Sequence, residues 1–182
     1  ERNANVFRPN DDGSLRRIHQ LDGTPIEIDI VLEEGTQVHS KAYRVNEKWA
    51  VKVEERIKDI HRQGLIVPAP HGSICSPLLV VPKGNDEIRL TVDYRKVNKR
   101  IKPYTYPLTT CEDIFSRCGG ATRYTTLDFK DWFYQFWLTP SSREVTTFAT
   151  PTQGNWMWNV LPMGLNISPA IVQAHLDEVF RC

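Results

Sequence analysis

The sequence predicts an α+β domain, on three observations. Stretches rich in β-branched and aromatic residues alternate with amphipathic helical stretches, but not in the regular strand-helix-strand order of a parallel α/β sheet. The chain has 182 residues, 40% hydrophobic and 25% charged, the balance of a packed domain and not of a disordered or fibrous chain. Its apolar runs, such as Leu78 to Val81 between two prolines, stop far short of the roughly 18 residues a membrane span needs. No membrane partner is expected.

The elements follow in order. Residues 1–25 are polar, carry an Asp11-Asp12-Gly13-Ser14 turn signal and read as a loose lead-in. Ile26 to Ile30 alternates apolar and polar, as a half-buried strand does. Asn46 is placed to cap a helix in which Trp49, Val53, Ile57 and Ile60 recur at helical spacing and Glu54 faces Lys58, with Gly64 to end it. Pro68, Pro70, Gly72 and Pro77 keep residues 65–77 extended or turning. Leu78–Val81 and Ile88–Val92 flank Lys83-Gly84-Asn85-Asp86 and predict a hairpin over 78–92. A helix is expected over 109–118, closed by Gly119-Gly120, and a strand over 123–130, where the residues are β-branched and aromatic. Residues 145–150 and 156–160 read as strands about a turn at 151–154. Ser168 as cap and Pro169 at the first position open a last helix, 168–180, with an apolar stripe of Ile171, Val172, His175, Leu176, Val179 and Phe180. There is no internal repeat.

The 23 basic and 22 acidic side chains nearly cancel, so a case for a nucleic-acid partner rests on local clustering. Residues 83–102 supply it: Lys83, Arg89, Arg95, Lys96, Lys99, Arg100 and Lys102 outnumber Asp86, Glu87 and Asp93. The bland alternative is a solvated hairpin surface. Four cysteines and five histidines show no zinc-site spacing. Sparse, irregular cysteine suits a reducing, intracellular compartment, cytoplasm or nucleus, or an organelle if a leader was removed. The chain begins at Glu1, which reads as a processed product or a segment of a longer polypeptide.

Asp128, with Asp131 three residues on, offers carboxylates at a predicted strand end. Magnesium takes near-octahedral oxygen ligands and often shares its shell with substrate phosphates, so one or two carboxylates beside a phosphate substrate would serve. A solvated turn bearing two acids is the plain alternative.

The order of short motifs points further. Gly64-Leu65-Ile66, Ser76-Pro77, the run Arg89 to Asn98 (Arg-Leu-Thr-Val-Asp-Tyr-Arg-Lys-Val-Asn), Tyr106-Pro107, Leu127-Asp128-Phe129-Lys130-Asp131, Leu161-Pro162-Met163-Gly164-Leu165 and Ser168-Pro169-Ala170 together resemble the reverse transcriptase domain of LTR retroelements, nearest the Gypsy-type retrotransposon and retrovirus group. The resemblance runs from about Ile26 to Phe180. It implies the fingers (26–107) and part of the palm (108–182) of a right-handed polymerase, with the palm sheet incomplete within this chain.

Carried over by residue, the resemblance makes Asp128 the first catalytic, metal-binding carboxylate of the palm and the Phe129 carbonyl its backbone partner for Mg2+. It makes Phe133 the aromatic gate against a ribose 2′-hydroxyl, and Lys83 and Arg89 the holders of the incoming triphosphate. Asp131, Trp132 and Met163 fall around the nucleotide, and Asp93, Arg95 and Asn98 in a structural network under the hairpin; the basic cluster itself offers Arg95, Lys96, Lys99, Arg100 and Lys102 to nucleic acid. The implied partners are an RNA or RNA/DNA template-primer and a deoxynucleoside triphosphate. Trp132 stands where relatives have a small residue, so its indole would either crowd the nucleotide or turn away, and Met163 replaces the usual Phe or Gln.

The family's Tyr-x-Asp-Asp hairpin is not within these residues. Two functions therefore stay open: the fingers and palm portion of an RNA-directed DNA polymerase, or an inactive, element-derived subunit with a structural or binding role. In either case another polypeptide, RNA or a second copy is expected to cover the open palm edge and the apolar stripe of the last helix.

Overall fold

The computed structural model describes residues 17–20, 23–70, 72, 74–84 and 86–180. Of the predicted lead-in, residues 1–16, 21 and 22 lie outside these. Arg17–Gln20 and Gly23–Pro25 form a small turn with a bridge between His19 and Pro25, docked by the Ile18 N–H on the Gln135 carbonyl at 3.2 Å.

The chain then passes through β1 (Glu27–Ile28), β2 (Val38–His39) and the helix α1 (Glu47–Arg62). Asn46 caps α1 as its side chain predicts, accepting from the Lys48 N–H at 3.0 Å. Gly64, at φ +72, takes the left-handed conformation that lets the chain leave the helix. Val53, Ile57 and Ile60 form the buried stripe of α1. β3 (Ile66–Pro68), β4 (Ile74–Lys83) and β5 (Glu87–Val92) follow, then the short α2 (Arg95–Asn98) and α3 (Cys111–Cys118). Thr110 and Asp113 close a capping box at the start of α3. A 3₁₀ turn (Trp132–Gln135), β6 (Trp137–Leu138), α4 (Pro140–Val145), β7 (Phe148–Ala149), β8 (Asn155–Trp158) and α5 (Ser168–Val179) complete the order.

β4 organises the main sheet because successive parts of it pair with different neighbours. Ile74 and Cys75 lie parallel to β2, Ser76 and Pro77 parallel to β7, and Leu78 to Lys83 antiparallel to β5. The sheet continues from β7 through β8 to β3, while β1 and β6 pair separately in parallel. Beneath lie Ile57, Ile66, Tyr94, Val97, Phe136, Leu138, Phe148, Val160 and Leu161, all at or near zero exposure. Tyr94 is fully buried, and its hydroxyl donates to the Thr146 carbonyl at 2.8 Å. A second buried polar pin joins distant segments. Ser142 Oγ accepts from the Ile30 N–H at 2.7 Å and donates to Asp29 Oδ1 at 2.8 Å.

Three expectations are corrected. Residues 123–130 are not a strand: no described strand lies beside them, and an extended segment without a partner has no ladder to join. Ser168 is not the cap of α5; Ile167 is, and the Ser168 hydroxyl instead donates to the Pro162 carbonyl at 3.2 Å. The apolar stripe of α5 is largely covered by the chain itself, since Ile171 and Val172 are buried and His175 stands edge-on to Phe136 at 5.1 Å. Phe180 at its end stays exposed, and further exposed apolar side chains lie on α3 and the segment after it, at Ile114, Phe115, Tyr124 and Leu127. No helix among the described residues is long and apolar enough to cross a membrane.

Candidate functional site

A cleft of about 710 Å³ opens between α1 and the β4-β5 hairpin, within the size range of small-molecule sites. One wall is α1, through Lys52, Glu55, Arg56 and Asp59; the facing wall is the hairpin, through Lys83, Asp86, Glu87 and Arg89. Asp131, Tyr134, Trp158 and Met163 form the floor. Tyr134 and Trp158 stack there with ring centroids 5.3 Å apart and planes 20° from parallel.

Ion pairing sorts the charges of this cleft. Lys48 (3.1 Å) and Lys52 hold the Asp86 carboxylate at the hairpin tip, Lys83 pairs with Glu87 at 3.4 Å, and Arg62 pairs with Asp59. Neither Arg56 nor Arg89 makes a salt bridge among the described residues. Both nevertheless act on Tyr134. Burial pushes its phenol pKa up, the Asp131 charge adds to this, and Arg56 and Arg89 pull the other way.

Met163 reaches the floor on the loop 161–165, which Asn98 of α2 fixes. Asn98 Nδ2 donates to the Gly164 carbonyl at 2.9 Å, and its Oδ1 accepts from the Asn166 N–H at 3.1 Å. Gly164 is required at this point: φ is +98, and an added Cβ would stand 3.4 Å from the Val92 carbonyl oxygen at the hairpin base.

Of the six residues expected around a nucleotide, Lys83, Arg89, Asp131 and Met163 line the cleft, whereas Trp132 and Phe133 do not. Asp131 adopts a left-handed conformation, φ 49, that leads into the 3₁₀ turn, and the aromatic ring at the floor is that of Tyr134. Trp132 turns away from the cleft. Its ring lies 4.4 Å from Phe129 and edge-on to Phe136 at 5.4 Å. Phe133 packs half-buried against the core. Asp128 is exposed and is not grouped with Asp131.

Among the described residues no three His, Cys, Asp or Glu side chains stand together as metal ligands. The Asp128 carboxylate and Phe129 carbonyl are two oxygen donors, short of the six that magnesium takes. The described residues therefore do not make up a magnesium site by themselves.

The basic cluster divides between two faces. Arg95, Lys96 and Lys99 line a second cleft of about 860 Å³ with His39, Lys41, Tyr43, Asp93 and Asn98. Asp93 anchors it, accepting from Arg95 Nε at 2.9 Å and from the Tyr43 hydroxyl at 2.9 Å. Chiefly through Arg95, its carboxyl is held well below the usual range despite some burial. Arg100 pairs with Glu33 at 3.0 Å, and neither it nor Lys102 lines this cleft. Sequence reasoning missed Lys41, Tyr43, Arg56 and Tyr134. A basic-aromatic Lys41-Ala42-Tyr43 stretch was the only signal for the first two.

The α1-hairpin wall, the buried α2 base and the floor built from residues 131–163 define the fingers and front palm of a right-handed nucleic-acid polymerase. Residues 81–182 match the family described as reverse transcriptase (RNA-dependent DNA polymerase), and the chain belongs to that family. It is 32% identical over 164 residues to the retrovirus-related Pol polyprotein from transposon gypsy of Drosophila melanogaster, covering 87% of this chain and 16% of that polyprotein. It is 31% identical over 131 residues to the enzymatic polyprotein of Cauliflower mosaic virus (strain NY8153), covering 70% of this chain and 19% of that polyprotein. In structure it resembles the protease-reverse transcriptase of prototype foamy virus, with a TM-score of 0.80 and 25% identity over 97% of this chain and 23% of that one. A foamy viral protease-reverse transcriptase in complex with RNA/DNA hybrid shares the fold at a TM-score of 0.72 and 23% identity, over 86% of this chain and 21% of that one. The chain thus spans under a quarter of the length of each of these proteins.

Proposed function

We propose that this chain supplies the fingers and front palm of an RNA-directed DNA polymerase, binding a deoxynucleoside triphosphate in the α1-hairpin cleft and template on the Arg95-Lys96-Lys99 face. One observation carries the reading. Arg89 of the hairpin, Asp131 after the Asp128 motif and Met163 of the 161–165 loop, far apart in sequence, meet in one cleft. Phosphoryl transfer depends on positioning and charge neutralisation, and an unpaired guanidinium on a hairpin opposite an aromatic floor suits a triphosphate. Asp128 and the Phe129 carbonyl contribute two oxygens to a metal shell whose remaining ligands come from outside the described residues.

The polypeptide carrying these residues should incorporate deoxynucleotides on an RNA template, and Asp128→Asn should abolish incorporation while template binding persists. Full activity in that variant would refute the assignment of Asp128. On the other face, Lys96→Ala with Lys99→Ala should weaken RNA/DNA hybrid binding and lower its salt slope by about 1 to 2; an unchanged slope removes this face from the template path.

A structural subunit role is the second reading, favoured by Phe115, which is 75% exposed on α3 beside exposed Ile114, Tyr124 and Leu127. Such a face fits coverage by another polypeptide. Absence of incorporation by the complete polypeptide would favour it.

A further inference from the structure

We propose that Arg56 of α1 is a second phosphate-holding residue, gripping with Arg89 the polyphosphate that enters the α1-hairpin cleft. This rests on the reading of that cleft as the nucleotide site. Lys83 was the expected partner of Arg89, but its ammonium is already paired with Glu87 at 3.4 Å. Lys52 is likewise committed to Asp86. Among the described residues, the cations in the cleft walls without such a pair are the two guanidiniums, one presented by the helix and one by the strand opposite.

A guanidinium presents its N–H groups as a flat fork that matches two phosphate oxygens at once, and it cannot lose its charge. Two forks arriving from opposing walls suit an extended polyphosphate better than a single carboxylate or a lone phosphate. Both line the cleft together with Tyr134, and the charge of each lowers the pKa of its phenol.

The acids of the cleft also discriminate. Asp59, Asp86 and Glu87 are paired with cations, which leaves Glu55 and Asp131 as the carboxylates that an anion would meet. Glu55 neighbours Arg56 on α1, so removing its charge should help the same ligand that removing Arg56 harms.

The probe is inorganic tripolyphosphate, titrated calorimetrically into the chain, with circular dichroism to confirm that each variant is folded. Arg56 is exposed, so its replacement leaves the core intact. Arg56→Ala and Arg89→Ala should each weaken binding about tenfold or more, Arg56→Lys should retain part of it, and Lys83→Ala should weaken it less than either arginine replacement does. Glu55→Gln should tighten binding by about two- to threefold.

If Arg89→Ala weakens binding and Arg56→Ala does not, the inference falls and the nucleotide reading stands. If neither does, or if the unaltered chain does not bind tripolyphosphate, both fall.

Discussion

Replacing Asn98 by alanine tests whether the hairpin base and the Met163 loop are one structural unit. The side chain makes two hydrogen bonds across that junction, to the Gly164 carbonyl at 2.9 Å and from the Asn166 N–H at 3.1 Å. Each such bond contributes about 0.5–1.5 kcal/mol net, and because Asn98 is only half-buried water can replace part of it, so the loss should be about 1–2 kcal/mol. For a chain of this size each kcal/mol moves the midpoint by roughly 2–4 °C, which predicts a Tm lower by about 2–8 °C. Asn166→Ala removes only the contact from its Nδ2 to the Asn98 carbonyl, at 3.2 Å, and should cost about half as much. Thermal unfolding gives the first readout. Hydrogen exchange at the Asn166 amide gives the second, and its protection should fall in Asn98→Ala. A change within about 0.5 kcal/mol together with unaltered exchange at Asn166 would show that the loop is held by packing alone.

Three further outcomes follow from contacts elsewhere in the fold. Ser142→Ala strands the Ile30 N–H and removes a donor to Asp29; it should destabilise by about 2–3 kcal/mol, measurable as a shift in denaturant midpoint, and a shift near zero would mean that water takes the place of the hydroxyl. Trp132→Ala, which deletes the ring between Phe129 and Phe136, should cost about 2–4 kcal/mol without improving tripolyphosphate binding; tighter binding would place the indole over the cleft after all. Because Arg95 depresses the Asp93 pKa on folding, that pair stabilises the fold above the ordinary carboxylate pKa of about 3.9 and loses its contribution as the pH falls through the folded value. The Tm difference between the unaltered chain and Asp93→Asn should therefore hold steady near neutrality and shrink below about pH 4; a difference independent of pH would contradict the pairing.

Elements whose signals are local were legible in the sequence. The Asn46 cap with its apolar spacing, the helix stopped by Gly119-Gly120 and the hairpin around Lys83 to Asp86 each carry their signal within a few residues. The segment 123–130 misled because strand propensity reports fit to a pleated surface and not whether a neighbouring strand is present. The helix over Pro140–Val145 was overlooked although Thr139-Pro140 is a start signal, because Val145 to Thr150 read more strongly as strand. In the site, Arg89, Asp131 and Met163 were legible as members of ordered motifs. Arg56 was not, since periodicity along α1 tells which residues are buried and is silent about which element the exposed face confronts. The division of the basic cluster was equally hidden, because the two faces of a hairpin and its base are adjacent in sequence.

The hairpin is held at both ends. At its root Asp93 N–H donates to the Pro77 carbonyl at 3.0 Å, Tyr94 is buried, and Gly164 lets the next loop press against Val92. At its tip Asp86, itself left-handed at φ 59, is clasped by Lys48 and Lys52, whose ammonium groups also lie over the Trp49 ring at 4.6 and 5.2 Å. Mechanically this is a beam supported at two points, with Arg89 in the span between them. Contacts at the root are buried, whereas those at the tip are solvent-facing ion pairs that salt screens readily. Raising the ionic strength, or replacing Asp86 with asparagine, should turn the beam into a cantilever whose free end carries the cleft wall outward, so the mouth of the site is set by the two lysines that hold Asp86.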